Sequence, residues 1–561
     1  MRFFIGAVAA LTASLPALAQ KPATASQAFE HVQRTRDQAR PLWKQGQEKG
    51  IQMLEEVLRF LDDPTVLDLA QGDFSLRTRR QNVYYDLAAA HAVAGRKQEA
   101  FGYLQRLAGE GSPGAYLPFV EKEPAFDGLR QEAGYRRALA TLKTWGRVWA
   151  SPALETPYRD NISAAEKIAG LSRFWAEVKF NFVYFDRVPD LDWDRLYLEY
   201  LSGVTQTAST KDYYRLLQEL CARLKDGHTN VDPPKELADQ LYRKPPLRTG
   251  LVEGKVLILE VLSQTLSEQG LQAGQEILSI DGIPVQQYAQ QQVAPYASSS
   301  TPQDLELRTY TYGLLNGPAK QPVWLAIEDA KGDRLEKNLP REGYQAVRGL
   351  PRFEVKTLPG NVAHVALNDF SDHGQVKLFE AALESLARSA ALILDLRRNG
   401  GGDSSVGYRI LGHLTDRPFL TSRERMRNYV PTLRAQGLDL EWRTDPAEAF
   451  PPSGKTPYTK PVAVLISAAT FSAAEDFCVA FDGMKRGKMI GEPTGGSTGQ
   501  PLFFRLPGGG SARVCTKRDT YPDGREFVGV GVQPDILARP TVQDVRAGRD
   551  RVLEAALRYL Q

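Results

Sequence analysis

Ser472 and Glu475, which open the stretch SAAEDFCVAF, are residues whose types and spacing could do chemistry. They follow an apolar, β-branched run, Val462 to Ile466, that reads as a buried parallel strand. Small and polar residues, Ser467 to Thr470, lie between. A Ser ahead of a helical pattern is ordinarily an N-cap, and Glu475 three residues on completes a capping box. The same strand–turn–helix also suits a nucleophile. Its hydroxyl projects from a tight turn, and the N–H groups of the first helical turn point at any oxyanion formed there. No glycine flanks Ser472 at the spacing of the G-x-S-x-G elbow. On these letters alone the cap is the better reading, and the choice between cap and nucleophile needs the rest of the chain.

A serine hydroxyl is a poor nucleophile without a base in hydrogen-bond reach. The segment Leu224 to Val231, LKDGHTNV, places His228 in a polar, Gly-containing turn straight after a helix, where an imidazole can be oriented. His31 and His91 fall in a helical region, His364 in a strand, His413 in a helix and His373 in a loop. A second turn, Arg397-Arg398-Asn399-Gly400-Gly401-Gly402, follows the buried strand AALILDL. It lacks a Walker lysine and the Rossmann spacing, but such a turn can present a backbone N–H to an oxyanion. Both turns should open at one edge of an α/β sheet. No H-E-x-x-H and no cluster of Cys or His at ligand spacing is visible, so no metal and no cofactor is implied.

These turns must be held by a large scaffold. The chain has 561 residues, 42% hydrophobic, with 70 Lys and Arg against 67 Asp and Glu. That length exceeds one core and predicts three or more domains. A net charge of +3 gives no reason to expect nucleic acid or an anionic membrane as partner. Residues 1–19 read as a signal peptide: Arg2, an apolar run from Phe3 to Leu15, then Pro16-Ala17-Leu18-Ala19, cut before Gln20. With no Cys after the cut, the expectation is an exported protein, periplasmic or secreted in a bacterium, with no membrane span after cleavage. The three cysteines argue against a disulfide framework, and Cys221 and Cys478 read as small buried residues. A Cys478–Cys515 bridge is left open.

Residues 25–150 read as helical. Within them NVYYDLAAAHAVAGRKQEAFGYLQRLA resembles one tetratricopeptide unit, with Tyr84, Leu87 and Ala88 on the first helix, Gly95 at the turn, and Ala100 and Leu104 on the second. It reads as a docking or spacer domain more readily than as a binding surface for a protein partner. Residues 160–235 read as a helical bundle whose core holds Trp175, Phe180, Phe182, Tyr184 and Trp193. Residues 246–345 turn β-rich, and GLQAGQEILSIDGIPVQQY resembles the PDZ signature, with an Asp281-Gly282 hairpin turn. Such a domain adds an extended peptide tail as a strand. Residues 350–545 alternate strand and helix. The fold class is therefore multidomain α+β around an α/β core.

Six segments in one order, KDGHTNV, GLQAGQEILSIDGIPV, ILDLRRNGGG, ATFSAAEDF, MIGEPTGGSTG and YPDGREFVGVGVQPDI, resemble the tail-specific (C-terminal processing) serine protease superfamily. That superfamily includes the tricorn core and interphotoreceptor retinoid-binding protein, and the resemblance covers about 160–540. It implies a ClpP/crotonase-like core and an endopeptidase acting on polypeptides by acyl transfer. Ser472 is then the nucleophile, with the N–H of Ala473 and that of Gly401 (or Gly400) as the oxyanion hole. The bacterial branch carries a base Lys where this chain has Ser497, and Lys485 and Lys488 lie elsewhere, so a Ser–Lys dyad is not expected. His228 matches the tricorn-like branch, and a His serves as base without the desolvation a neutral Lys needs. The family's acidic third member matches Glu526 best, with Asp523 and Asp519 as alternatives; Asp535 is assigned a supporting role. Where the tricorn core has a Ser before its His, this chain has Gly227, and Thr229 is the substitute relay. His228→Ala and Ser472→Ala are expected to abolish turnover, and Ser497→Ala and Lys488→Ala to be far milder. Retinoid-binding relatives keep a second reading open, a non-catalytic binder of peptides or apolar ligands; a tetratricopeptide-led scaffold is a third. The oligomeric state, including a homo-oligomer, is left open.

Overall fold

The computed structural model describes residues 21–149, 151–342 and 350–561. The signal-peptide reading of residues 1–19 lies outside them. The chain divides into two compact units, 1–152 and 153–561. No helix among the described residues is long and apolar enough to cross a membrane.

The first unit is helical. Arg79–Val93 and Lys97–Gly109 form a helical hairpin whose small residues allow close approach: Leu87, Ala88, Ala100 and Leu104 are fully buried. Gly95 takes φ +73° in the connecting turn, a conformation that costs glycine nothing.

The second unit is built on a six-stranded sheet. Its order is Ile536–Leu537, Lys488–Gly491, Val462–Ile466, Ala391–Asp395, Val362–Leu367, Phe353–Leu358. All neighbours are parallel except the last pair, a hairpin. Val462–Ile466 and Ala391–Asp395 sit at the centre, and every residue of both is buried. That is why they read as unbroken apolar runs rather than alternating ones. Their C-terminal ends lie side by side, so the Gly-rich turn and the Ser472 turn emerge together. Helices Ala164–Asn181, Trp193–Gln206 and Thr210–Ala222 pack Phe174, Trp193, Tyr213 and Leu217 into the same core. The chain then runs into the turn that carries His228.

Between these helices and the sheet in chain order, six strands from Leu247–Val252 to Arg334–Leu339 form an antiparallel sheet with its own core, including Ile258, Ile277, Leu325 and Ile327. Asp281 and Gly282 both take positive φ, 49° and 79°, between paired Ile280 and Ile283, as a tight hairpin requires. From this insertion, segment 298–308 returns onto the core: Thr301 Oγ1 donates to the Gly495 carbonyl at 2.8 Å and Gln303 Nε2 to that of Thr494 at 2.9 Å. The three cysteines are buried and free, so the Cys478–Cys515 bridge is not formed.

Candidate active site

Four turns converge on Ser472. The Gly-rich turn is tied to the nucleophile turn by Phe471 N–H donating to the Asn399 carbonyl at 3.0 Å. The turn 494–498 is tied to it by Ser472 N–H donating to the Ser497 carbonyl at 3.1 Å. The fourth carries His228. Helix Ala473–Met484 starts right after Ser472, whose φ of 58° and ψ of −127° lie outside the extended backbone of an N-cap. A non-glycine residue held there is strained, and such strain gathers at functional sites. The Ser472 Oγ lies 3.0 Å from His228 Nε2.

His228 is 3% exposed and lies flat on Phe471, ring centroids 4.8 Å apart and planes 6° from parallel. Its Nδ1 faces Ser497 Oγ at 2.8 Å. For Nε2 to take the Ser472 proton, Nδ1 must carry hydrogen and donate it to Ser497. Burial holds the imidazole well below its ordinary basicity, and the nearby cations Arg513, Arg308 and Lys517 push the same way. Both influences favour the neutral ring, the form a general base requires. Its backbone is fixed by Asp226, a buried carboxylate that also accepts from Thr229 Oγ1 at 2.6 Å and Ser300 Oγ at 3.2 Å.

Glu526 is not brought to His228. Its carboxylate accepts from Arg187 at 2.9 Å and Arg518 at 3.1 Å on a half-exposed surface. Asp523 turns back on Arg525, and Asp519 is buried against Thr498 and Lys517. Asp535 pairs with Lys488 and supports Met489 N–H. Thr229 is turned away too, taken up by Asp226 and by Cys515 N–H. The group that faces Nδ1 is instead Ser497, at the position where a base lysine was sought. Gly227 leaves room for it: a Cβ there would come 3.0 Å from Ser497 Oγ and 3.1 Å from Asp304 Oδ2. The hydroxyl missing from residue 227 is thus supplied across the site by residue 497.

The lysines are excluded as bases. Lys485 and Lys488 are surface cations paired with Asp482 and Asp535. Lys517 is buried, but Glu424 at 2.6 Å and Asp519 at 3.2 Å keep it protonated.

Of the expected oxyanion donors, Ala473 N–H and Gly400 N–H have no acceptor among the described residues, whereas Gly401 N–H donates to Asn399 Oδ1 at 2.9 Å. Gly401 still shapes the hole. At φ +98°, a Cβ there would come 2.6 Å from Ser472 Cβ, so only glycine lets the two turns touch.

Glu475 does more than complete a helix start. Its buried carboxylate accepts from Ser472 N–H at 3.1 Å, Gly496 N–H at 2.8 Å, Ser497 N–H at 2.9 Å and Thr494 Oγ1 at 2.5 Å. It holds the nucleophile and the imidazole's partner in one frame. Burial pushes its pKa up to about 8, against the pull of those four donors. The three-residue spacing from Ser472 was its signal in the sequence. Asp304, on the inserted segment, had none. No group of three or more His, Cys, Asp or Glu able to hold a metal occurs among the described residues.

A serine with an imidazole on its hydroxyl and free N–H groups beside it is an arrangement suited to acyl transfer. Residues 361–538 match the model of peptidase family S41. The carboxyl-terminal-processing protease of Picosynechococcus sp. is 24% identical over 339 residues, 57% of this chain and 72% of that protein. The corresponding protease of Synechocystis sp. is 24% identical over 369 residues, 62% and 77%. Among solved structures, mature CPAF shares the fold with a TM-score of 0.56 at 16% identity, covering 68% of this chain and 94% of that one.

Proposed function

We propose that the protein is an exported serine endopeptidase that cleaves polypeptides by acyl transfer through Ser472, with His228 as general base. The observation that carries the proposal is the 3.0 Å contact between His228 Nε2 and Ser472 Oγ. His228 Nε2 takes the Oγ proton as Oγ bonds to the scissile carbonyl carbon. The oxyanion is met by the N–H groups of Ala473 and Gly400. Collapse breaks the C–N bond, and the amine leaves with the proton from Nε2. Water then repeats the sequence on the acyl-enzyme, with His228 again taking its proton, and frees Ser472. Ser497 accepts from Nδ1 throughout and keeps the ring in register. The six-stranded insertion serves as a PDZ-like reader of peptide tails, as the C-terminal-processing relatives' names suggest for the substrate class. The helical hairpin of the first unit serves as a tetratricopeptide-like spacer.

The test is mass spectrometry of a mixed, unstructured peptide pool incubated with the mature protein beside a Ser472→Ala control. Fragments that appear only with the wild type are expected. An intact pool, or equal fragments in both samples, overturns the proposal.

A further inference from the structure

One strip of surface beside His228 is unused by the acyl-transfer chemistry. Strands Asn230–Asp232, Ser511–Cys515 and Pro501–Arg505 form an antiparallel sheet in which Arg513 stands directly opposite both Asn230 and Phe503. Residues opposed in this way share a face. Asn230 Nδ2 donates to the Gly227 carbonyl at 2.8 Å, and Arg308 reaches the same oxygen at 3.4 Å. Arg308, Asn230, Arg513 and Phe503 therefore follow one another outward from the residue before the base.

Charge along this strip is unbalanced at one point. Arg308 is paired with Asp304 at 2.8 Å, and Lys517 with Glu424 and Asp519. Arg513 forms no ion pair and no hydrogen bond among the described residues, and its Nε is buried without a partner. Asp232 attracts it only from beyond ion-pair reach. A half-buried guanidinium left unpaired is costly, and the group that relieves it is a carboxylate, which a guanidinium's fork matches best. Next to it, Phe503 is 63% exposed, its ring centroid 6.0 Å from the Arg513 guanidinium. Phe503 lies on Pro501–Arg505, an end strand of its sheet whose outer edge an extended chain can join. An unpaired cation, an exposed aromatic and an open strand edge thus lie together beside the base.

We propose that Arg513, backed by Asn230 and Arg308, is a substrate subsite for a carboxylate, and that Phe503 packs against an apolar residue next to it. The carboxylate is an Asp or Glu side chain or the chain's own terminus. The inference rests on the peptidase reading and names its specificity. It predicts that substrates carry an acidic group close to the scissile bond.

A peptide cleaved by the wild type is resynthesised in four forms: unchanged, with every Asp and Glu replaced by its amide, with the C-terminus amidated, and with both changes. Loss of the recognised carboxylate is expected to lower kcat/KM roughly 10- to 100-fold, the usual worth of a charge-assisted hydrogen bond. The form that loses activity identifies the source. In Arg513→Gln the acidic-to-neutral ratio should collapse toward one, and Arg513→Lys should retain part of it. Equal cleavage of all four forms by the wild type, or an undiminished ratio in Arg513→Gln, overturns the subsite. If the wild type cleaves nothing, the peptidase reading falls separately. The subsite is then judged by fluorescence anisotropy of labelled acidic and amidated peptides on Ser472→Ala protein, where equal affinities overturn it.

Discussion

Replacing Ser497 by Ala removes the hydroxyl that faces His228 Nδ1 at 2.8 Å. The imidazole is 3% exposed, so water does not readily replace the lost acceptor. A buried donor stranded in this way costs about 1–3 kcal/mol. Expressed in the transition state, where the ring becomes cationic, that is roughly a 5- to 150-fold loss of kcat/KM. The loss stops short of that for the nucleophile because Phe471 still stacks on the ring at 4.8 Å and Nε2 still meets Ser472. The variant therefore sits between wild type and Ser472→Ala, milder than removal of the nucleophile but far from silent. The assay is kcat/KM on one peptide for wild type, Ser497→Ala, Ser497→Thr and Ser472→Ala, with circular dichroism to confirm folding. Ser497→Thr keeps the hydroxyl and should recover most of the loss. A Ser497→Ala enzyme within about twofold of wild type would refute the reasoning, since the Nδ1 contact would then position nothing.

His228→Ala should lower kcat by about 10²- to 10⁴-fold, the span of a general base, while Lys488→Ala, whose surface cation only pairs with Asp535, should stay within about twofold in the same assay. The pH profile of kcat/KM should keep its acid limb below the ordinary imidazole value of 6.5, because burial and three cations disfavour the protonated ring and activity is lost only when that ring protonates. Removing one of those cations in Arg513→Gln should move the limb upward; a limb above 6.5 in the wild type contradicts the assignment. Glu475→Gln places an amide NH₂ against backbone donors and should cost about 2 kcal/mol or more in chemical denaturation, with a matching fall in kcat, because the carboxylate frames both Ser472 and Ser497.

Much of the framework was legible in the letters. Val462–Ile466 and Ala391–Asp395 announce themselves because central strands of a parallel sheet are apolar on both faces. Adjacent central strands bring their C-terminal turns together, which is why Ser472 and the Gly-rich turn share one edge. Glu526 is not brought to His228 for a specific reason: Arg518, eight residues before it, and Arg187, 339 residues before it, take up its carboxylate at the surface. Ser497 was identified by position but not by role, since only the folded turn shows that Gly227 leaves room for its hydroxyl. Glu475 reads as a capping residue because it does accept from Ser472 N–H, but its further bonds to Gly496 and Ser497 come from a turn 21 to 22 residues on and leave no local signal. Arg513 gave no local signal, because Asn230, which it faces across the sheet, comes from a segment far away in the chain.

The central claim is that Ser472 is activated by His228 for attack on a carbonyl. Its most direct measurement is covalent labelling with a fluorophosphonate, read by intact mass and peptide mapping, on wild type, Ser472→Ala and His228→Ala. The account predicts a single adduct on Ser472 in the wild type, none in Ser472→Ala, and strongly slowed labelling in His228→Ala. An adduct on another residue, or labelling of His228→Ala at the wild-type rate, would contradict it.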